Sequence, residues 1–536
     1  MLDTLCDVID TMCSSEQGLH FTTADSLTSS CDYRQLREEV QHIARSLPAL
    51  GKQRGAPVVI VFPEQAEFVK VFLAVIRAGL VVVPIYPPSL TGELTDYIAN
   101  MERVIRITGA CCLLTSDGLV SRFRSSVTAA AVVSMSEISA RAETGELPTV
   151  CRSDTALIQF TSGSTGSPKG VELTHGNLVA NAMAIKHALA IDPARDQGVS
   201  WLPLHHDMGL IGFLITPLLV QASTWYLPPL EFARRPQRWL DLINKTRATI
   251  SYAPNFGYDL VTRRVKDSEI EQWDLSAWRV AGCGGEPVLP DALDKFAKRL
   301  QPAKFDRRSF VPSYGMAEAT VAVSISPLQR GVATCKPSGS APDDQPMVSS
   351  GKPVSYTDIR IVSSSGNVIA DGRSGEIQVR GPGVASRFLS EIGPAEATCS
   401  RGWLSTGDIG AMRNGELHVC GRIKETIVLH GRNVFAHDIE ECAQELDGIK
   451  RGSVVAFGRP GSGSEQLVLV VETRRVKDTN KLQHRLRSCV RKRLGLSIAD
   501  ILLVGRGVIS RTTSGKLRRR TLRASYLAGE LGVFPN

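Results

Sequence analysis

A glycine- and hydroxyl-rich loop follows a short apolar run near residue 160. It reads Thr-Ser-Gly-Ser-Thr-Gly-Ser-Pro-Lys-Gly from Thr161 to Gly170. Glycines let the backbone approach an anion closely, while amides, hydroxyls and Lys169 donate hydrogen bonds and positive charge. The natural guest of such a loop is a polyphosphate. The lysine follows proline and precedes glycine, so the loop differs from the G-x-x-x-x-G-K-[ST] pattern of P-loop NTPases.

Three further side chains have chemistry suited to a nucleotide. Tyr314 stands beside Gly315, and Glu318 follows shortly after. An aromatic ring can stack on a purine, and a carboxylate can hold Mg²⁺ on phosphate oxygens. Asp408 ends the segment Gly-Trp-Leu-Ser-Thr-Gly-Asp, and a carboxylate accepts hydrogen bonds from two adjacent hydroxyls. Taken alone, Glu318 is also explained as a helix cap, and Asp408 as part of an ordinary turn.

Two basic segments complete the set. Arg422 and Lys424 lie in Gly-Arg-Ile-Lys-Glu, and Lys516 lies in Ser-Arg-Thr-Thr-Ser-Gly-Lys-Leu. A lysine on such a loop can be delivered to an active site if the loop belongs to a mobile part of the chain. A cation placed where charge builds on reacting oxygens stabilises the transition state more than the ground state. Alone, each segment is also explained as solvated basic surface.

These five segments, in this order, resemble the signature motifs of the adenylate-forming superfamily. That superfamily includes acyl- and aryl-CoA synthetases, luciferases, nonribosomal-peptide adenylation domains and fatty acyl-AMP ligases. The resemblance implies an α/β fold with a large N-terminal domain of β-α-β layered sheets plus a distorted β-barrel. It also implies a small mobile α+β C-terminal domain and a reaction in which ATP and a carboxylate form an acyl-adenylate and pyrophosphate.

The resemblance also implies roles for single residues. Tyr314 would stack on adenine, Glu318 would bind Mg²⁺, and Lys516 would be the catalytic lysine that contacts the carboxylate and α-phosphate. Lys424 would be the hinge about which the small domain rotates. The residues assigned to ATP, with Asp408 and Arg422 on the ribose, are Thr161, Ser162, Gly163, Ser164, Thr165, Gly166, Lys169, Gly284, Gly285, Glu286, Ser313, Tyr314, Gly315, Met316, Ala317, Asp408 and Arg422.

Several other strings are similar to the fatty acyl-AMP ligase branch. They include Pro84–Pro88, Trp201–Leu210 and Ala253–Tyr258. Members of that branch pass the acyl group to the phosphopantetheine thiol of an acyl carrier protein, and an added segment restrains their small domain. The Pro-, Ser- and Gly-rich stretch Pro327–Ser350 lies where that segment would be, as a surface loop. Because this stretch is short for the branch, an acyl-CoA ligase is the alternative.

A fatty substrate requires a deep apolar pocket. The predicted walls come from the uncharged stretch after residue 207 and from a turn near residue 256: Met208, Gly209, Asn255, Phe256 and Gly257. His206 is assigned to the carboxylate end of the pocket, as a third catalytic candidate. Two departures from the branch lie nearby, because Cys283 replaces an asparagine and His205 replaces a tyrosine.

The elements that must position these residues alternate between strand and helix. Val58–Phe62, Phe68–Arg77 and Leu80–Val83 read as strand, helix and strand, which predicts a mostly parallel sheet covered by helices. Asp358–Val362 and Glu376–Arg380 alternate with period two, as antiparallel strands do. Beyond Arg422 the pattern restarts as a small unit, so the predicted domains are 1–423 and 424–536.

Composition and charge limit the class of protein. The 536 residues are 43% hydrophobic and 22% charged, which excludes a disordered or coiled-coil chain. Twelve scattered cysteines without a C-x-x-C pair argue against a zinc site or disulfide scaffold. Residues 424–536 hold 21 basic and 11 acidic residues, a net charge of +10. Such a unit fits an acidic carrier protein, although a solvated basic face explains it too.

The remaining expectations concern location and a rival function. The uncharged stretch Met208–Leu230 is broken by Pro217 and Pro228, so it predicts a buried helix followed by a strand rather than a membrane span. No basic and apolar leader is visible at the N-terminus, so a cytoplasmic location is predicted, with no stable membrane insertion. A non-catalytic nucleotide or nucleic-acid binder is the rival from another class; we expect no nucleic-acid partner.

Overall fold

The computed structural model describes residues 2–23, 26–50, 53–88, 94–110, 112–140, 146–161, 168–335, 347–396, 402–429, 432–461, 465–473, 479–511 and 517–532. The helices are α1 (Leu5–Asp10), α2 (Tyr33–Ser46), α3 (Gln65–Arg77), α4 (Leu94–Thr108), α5 (Asp117–Arg124), α6 (Met135–Ser139), α7 (His175–Ala188), α8 (Asp207–Leu210), α9 (Thr216–Val220), α10 (Pro229–Arg234), α11 (Gln237–Thr246), α12 (Asn255–Arg264), α13 (Asp267–Ile270), α14 (Pro290–Arg299), α15 (Ala436–Gln444), α16 (Thr479–Leu494) and α17 (Arg519–Leu527).

The strands are β1 (Gly18–Thr22), β2 (Leu27–Asp32), β3 (Pro57–Val61), β4 (Val81–Pro84), β5 (Cys112–Thr115), β6 (Ala131–Ser134), β7 (Thr155–Thr161), β8 (Lys169–Thr174), β9 (Gly198–Ser200), β10 (Thr224–Tyr226), β11 (Ile250–Ala253), β12 (Val280–Cys283), β13 (Phe310–Gly315), β14 (Ala322–Ile325), β15 (Thr334–Cys335), β16 (Met347–Val348), β17 (Lys352–Pro353), β18 (Asp358–Val362), β19 (Gly375–Arg380), β20 (Arg387–Ser390), β21 (Gly393–Glu396), β22 (Leu404–Arg413), β23 (Glu416–Arg422), β24 (Thr426–Leu429), β25 (Arg432–Phe435), β26 (Val454–Pro460), β27 (Glu465–Glu472) and β28 (Ile498–Val504).

Two large sheets form the body of the chain. One has the order β21-β20-β8-β7-β4-β3-β5-β6, and the other has the order β17-β14-β13-β12-β11-β9-β10-β1-β2. Their central strands pair in parallel, and antiparallel strands are added at the edges. The mixed α/β fold with mostly parallel sheets, predicted from the β-α-β alternation, is therefore confirmed. The helix α3, for example, carries the chain from the end of β3 back to the start of the parallel strand β4.

The helix ends show why these segments stop where they do. The helix α3 is followed by Gly79 at φ +70, a conformation that favours glycine. The helix α7 begins with a capping box, in which the Thr174 hydroxyl accepts from the Asn177 amide and the Asn177 side chain accepts in return. This reciprocal pair starts α7 at His175.

The uncharged stretch after residue 207 folds as helix and then strand, as predicted. The helices α8 and α9 are joined by a π-helical turn, Ile211–Ile215, which the sequence analysis did not predict. Gln221 ends the run in the left-handed conformation, and β10 follows. No described helix combines the length and the apolarity that a membrane crossing demands.

An aromatic cluster anchors the nine-stranded sheet to its helices. Phe296 of α14 packs edge-on against Tyr258, Trp278 and Phe305, with ring centroids 5.0 to 6.1 Å apart. These rings are buried, and Phe296 itself is 0% exposed. Edge-to-face pairs of this kind add to the stabilisation that their burial gives. The cluster thereby fixes the helices behind β11, β12 and β13.

The C-terminal third is built from smaller sheets. The strands β18, β19, β22 and β23 form an antiparallel sheet. The strands β26, β27 and β28 form a sheet packed against α15, α16 and α17, and two hydrophobic clusters contain only residues between Ile427 and Leu531. The chain thus has a large sheet-rich N-terminal domain and a smaller C-terminal domain. The boundary at residue 424 stays a prediction.

The stretch Pro327–Ser350 is only partly a surface loop. Residues 336–346 lie outside the described residues. At its C-terminal end, Ser349 is 1% exposed and pairs with His418 of β23. Arg330 also bonds Glu416 of the same strand at 2.5 Å. This burial arises because the backbone near Ser349 extends the sheet edge, a long-range pairing that composition does not reveal.

Replacement of Phe296 by alanine is expected to lower the free energy of unfolding by about 3–5 kcal/mol, because a buried ring is replaced by a cavity. Urea unfolding followed by tryptophan fluorescence measures the change. The control is Leu230→Ala, since Leu230 is 62% exposed and should change stability by less than about 0.5 kcal/mol. Equal unfolding midpoints for the two variants would contradict this account of the core.

Candidate active site

The carboxyl ends of parallel strands from both large sheets meet at one cleft. The segments after β4, β7, β9, β12 and β13 all emerge at these ends. Two contacts join the sheets there: the Gln159 amide donates to the His205 carbonyl at 3.0 Å, and the Tyr86 and His205 rings lie 6.2 Å apart. Ligands of open α/β sheets bind outside the carboxyl ends of strands, so the topology itself favours a site here.

The hairpin β7–β8 carries the predicted phosphate loop. Thr161 pairs with Lys169 across the base of the hairpin, so the loop begins and ends at one place. The other predicted loop residues, Ser162, Gly163, Ser164, Thr165 and Gly166, lie outside the described residues. Their assignment to phosphate stays a prediction.

Lys169 and Glu318 face each other at the mouth of this hairpin. The Lys169 Nζ lies 3.8 Å from Glu318 Oε1 and 3.1 Å from the centre of the Phe388 ring. The pKa of Lys169 is lowered, mainly by burial. The Glu318 carboxylate opposes this shift, and the positive charge of Lys424 adds to it. The predicted phosphate lysine, metal-binding carboxylate and hinge lysine are therefore within electrostatic range of one another.

Asp408 is a buried carboxylate with two polar partners, and one of them, Arg422, is half exposed. Its carboxylate is 4% exposed, accepts the Tyr314 hydroxyl at 2.7 Å and lies 3.0 Å from the Arg422 Nε. The sheet register sets the second contact, because Asp408 of β22 is paired with Arg422 of β23. Burial, and then the Asp408 charge, raise the pKa of Tyr314 well above its ordinary value. Tyr314 therefore stays protonated and acts as the donor.

The segment from Ser313 to Ala319 is held by its backbone. A side chain on Gly315 would place Cβ 1.6 Å from the Val321 carbonyl oxygen, so only glycine fits. The Met316 amide donates to the same carbonyl at 2.9 Å, and a 3₁₀ turn over Ala317–Ala319 follows. The Glu318 carbonyl accepts the Ala385 amide at 2.9 Å. These bonds fix where the Glu318 carboxylate points.

The Cys-Gly-Gly-Glu segment after β12 lies directly beside β13. A Cβ on Gly284 would lie 2.8 Å from the Ser313 carbonyl oxygen, and Gly285 has φ +81 with its Cβ position 3.8 Å from the Met208 Cε. Glu286 is within electrostatic range of Arg519 in the C-terminal domain. Of the predicted nucleotide residues, Gly284 and Ser313 are thus adjacent.

The predicted acyl-pocket residues have mixed surroundings. Asn255 donates to the Pro287 carbonyl at 2.8 Å and accepts the Leu289 amide at 2.9 Å, so its side chain ties two backbone segments together. Phe256 is 45% exposed and meets the Trp201 ring edge-on. Their role as pocket walls stays a prediction, together with that of Met208.

Two of the predicted pocket residues are glycines with close neighbours. A Cβ on Gly209 would lie 2.3 Å from the Pro203 carbonyl oxygen, and one on Gly257 would lie 2.8 Å from the Trp201 ring. His206 precedes α8, and its ring lies 4.8 Å from that of His205. Burial, and then His206, lower the pKa of His205 well below its ordinary value. His205 is therefore a neutral part of the cleft wall.

The residues on either side of the predicted catalytic lysine are described in the small domain. Lys516 itself lies outside the described residues. Next to it, Leu517 bridges to Arg511, and the Arg518 amide donates to the Ser510 carbonyl at 3.1 Å. Arg518 also acts electrostatically on Tyr86 of the large domain. No local sequence signal links Arg518 to Tyr86.

Comparisons with known proteins agree with this geometry. A family model described as AMP-binding enzyme matches residues 20–389. The chain belongs to the AMP-binding enzyme family. Its resemblance to the adenylate-forming superfamily is confirmed, and the chain is a ligase of this AMP-binding family.

Two relatives cover most of this AMP-binding enzyme. A Caulobacter vibrioides protein provisionally named an acyl-CoA synthetase is 35% identical, over 99% of this chain and 96% of its own. A medium-chain-fatty-acid–[acyl-carrier-protein] ligase of Teredinibacter turnerae is 30% identical, over 92% and 88%.

Solved structures give the same picture. A structure from studies of the fatty acyl-adenylate ligases of E. coli and L. pneumophila is 33% identical, with a TM-score of 0.92 and 98% of both chains covered. A fatty acyl-adenylate ligase of L. pneumophila, in complex with acyl adenylate and pyrophosphate, is 27% identical, with a TM-score of 0.75 over 98% and 96% of the chains.

Substitution of Gly315 by alanine is expected to displace the Val321 carbonyl and so to weaken binding of a non-hydrolysable ATP analogue at least tenfold. The reason is steric, since no Cβ tolerates a 1.6 Å contact. Isothermal titration calorimetry measures the affinity, and a melting curve shows whether the fold persists. Gly118→Ala is the control, because that position has no neighbour within 4 Å. Unchanged affinity in Gly315→Ala would contradict the assignment of this segment to the nucleotide.

Proposed function

We propose that this AMP-binding enzyme activates a fatty acid with ATP, giving acyl-AMP and pyrophosphate. It then transfers the acyl group to the phosphopantetheine thiol of an acyl carrier protein. The observation that carries the proposal is the convergence of Lys169, Glu318, Tyr314, Asp408 and Arg422 on one cleft. The Teredinibacter turnerae relative, whose name specifies both a fatty acid and a carrier protein, supports the second half.

The buried carboxylate of Asp408 would receive the ribose hydroxyls, assisted by Arg422. Asp408 is oriented by two fixed contacts, so it is preorganised before the nucleotide binds. The ring of Tyr314 would form the adenine side of the site, since its hydroxyl already bonds Asp408. The Gly284–Glu286 segment, which lies against Ser313, would form the opposite edge of the same pocket.

Glu318 fits the requirement for Mg²⁺. Mg²⁺ is usually held by one or two carboxylates together with substrate phosphates, rather than by a cage of protein ligands. Glu318 is partly buried beside Lys169, at the base of the predicted phosphate loop. It would therefore hold the ion against the phosphates, where the ion neutralises charge on the leaving pyrophosphate.

Lys516 would assist the attack of the carboxylate on the α-phosphate. Negative charge gathers on those oxygens as the bond forms, and a positioned ammonium stabilises that charge. The neighbouring Arg518 acts on Tyr86, so the base of the Lys516 loop faces the large domain. After adenylation, rotation about Lys424 would withdraw this loop and admit the carrier thiol.

An acyl-CoA ligase is the second candidate function. The Caulobacter vibrioides relative, provisionally named an acyl-CoA synthetase, favours it. So does the short stretch Pro327–Ser350, because a shorter restraint leaves the small domain freer to admit CoA. The net charge of +10 on residues 424–536 favours the carrier protein instead, since carrier proteins are acidic.

ATP–pyrophosphate exchange with fatty acids of graded length tests the adenylation step. We expect exchange that strengthens with chain length until the pocket ends, since each buried CH₂ adds about 0.8 kcal/mol. Lys516→Ala should lower the exchange rate about 100–1000-fold, as loss of one electrostatic contact to a transition state does. Its affinity for ATP should be nearly unchanged. Absence of exchange with every carboxylate would exclude the proposal.

The acceptor is decided by a direct competition. Purified acyl-adenylate is offered CoA and a phosphopantetheinylated carrier protein in parallel, and products are identified by mass spectrometry. We expect acyl-carrier product in excess, with a rate that falls as salt screens the basic domain. The carrier protein without its phosphopantetheine arm is the control. Acyl-CoA as the main product would instead establish the second candidate.

A further inference from the structure

Arg519, the first residue of α17, joins three parts of the molecule. Its Nε and one Nη bond the two carboxylate oxygens of Glu440, each at 2.7 Å. Its other Nη bonds Glu425 at 2.8 Å. Glu286 of the large domain is also within electrostatic range. A planar guanidinium is the group suited to such forked contacts, which a lysine cannot reproduce.

The two bonded carboxylates belong to different elements. Glu440 lies on α15, is 3% exposed and also accepts the Ala456 amide of β26 at 3.0 Å. Glu425 lies in the 3₁₀ turn Ile423–Glu425, next to the predicted hinge residue Lys424. Both carboxylates bond the same guanidinium, and Arg519 is the cation between them. Without it the two like charges would repel, and the hinge turn would separate from α15.

Arg519 is also attached to the base of the loop that precedes it. Arg518 donates its amide to Ser510, and Leu517 bridges to Arg511, so the two ends of that loop are tied together. The base continues directly into α17, whose first residue is held by Glu440 and Glu425. The loop base and the hinge turn are thus linked through one side chain.

We propose that Arg519 is a positioning residue that fixes the base of the catalytic-lysine loop to the hinge turn through Glu425. The inference rests on the proposed function, which assigns the catalytic lysine to that loop. When Glu425 moves with the hinge, the Arg519 contact transmits the movement to the loop base. The side chain of Arg519 does not itself act on the substrate.

The test removes only the contact between Arg519 and Glu425. Glu425 is a third exposed, so Glu425→Ala leaves the Arg519–Glu440 pair and the domain core in place. We expect kcat for pyrophosphate exchange to fall about 10–100-fold, because a displacement of about 1 Å has effects of this size. The KM for ATP should change less than about twofold. Glu425→Gln, which keeps the acceptor oxygen, should recover part of the rate.

Two controls distinguish positioning from general damage. Glu445→Ala breaks a comparable ion pair, with Arg493, away from the hinge and should leave kcat unchanged. In a Lys516→Ala background, Glu425→Ala should cause no further loss, since the lysine to be positioned is gone. A full additional loss in that background, or wild-type kcat in Glu425→Ala, would overturn the inference.

Hydrogen exchange tests the linkage independently of activity. In Glu425→Ala the amide of Arg518, which bonds Ser510, should exchange several-fold faster than in the wild type, while amides of β26 keep their protection. Equal protection of Arg518 in both proteins would overturn the inference even if no substrate were found. Absence of exchange with all carboxylates in the wild type, by contrast, would count against the proposed function only.

Discussion

The buried negative charge of Asp408 is the constraint on which the rest of the site depends. An uncompensated carboxylate at 4% exposure would cost several kcal/mol, so the fold must supply partners. Tyr314 comes from β13 of the nine-stranded sheet, whereas Arg422 comes from β23 of the antiparallel sheet. One carboxylate thereby fixes two sheets relative to each other. The cleft lies where these two sheets meet. Separating the sheets would leave the buried Asp408 carboxylate without its partners.

The backbone segments near Asp408 are packed so closely that side chains cannot be added at two glycines. Gly315 lies so close to Val321 that no side chain fits, and a Cβ on Gly284 would lie 2.8 Å from the Ser313 carbonyl oxygen, which is also too close. The backbone of Glu318 is restrained in the same way, because its 3₁₀ turn starts directly after Gly315 and Met316. Its distance from Lys169 is therefore set by main-chain packing. A carboxylate held in this way needs little reorganisation when a polyphosphate arrives, and low reorganisation is what electrostatic catalysis requires.

The sequence predicted the regular elements closely, because period-two alternation and helical spacing are local signals. Glu376–Arg380, for example, differs from β19 by one residue. It could not predict contacts that join distant segments. Phe388 lies under Lys169 only because β20 adds to the edge at β8, and nothing near residue 388 indicates that pairing. The role of Asn255 as a pocket wall stays a prediction, whereas the hydrogen bonds of its amide to Pro287 and Leu289 depend on tertiary geometry that no local pattern indicates.

The hinge turn connects the electrostatics of the cleft with the small domain. The pKa of Lys169 is lowered first by burial and also by the charge of Lys424, while Glu318 balances the charge of Lys169. The next residue, Glu425, points its charge the other way, toward Arg519. A polyanion entering the cleft would relieve repulsion between Lys169 and Lys424, so it would favour the arrangement in which the turn stays close to the large domain. Since Glu425 moves with that turn, the same anion would also hold the loop base in place. Substrate charge and the position of the turn Ile423–Glu425 would thus be coupled through two adjacent side chains of opposite sign.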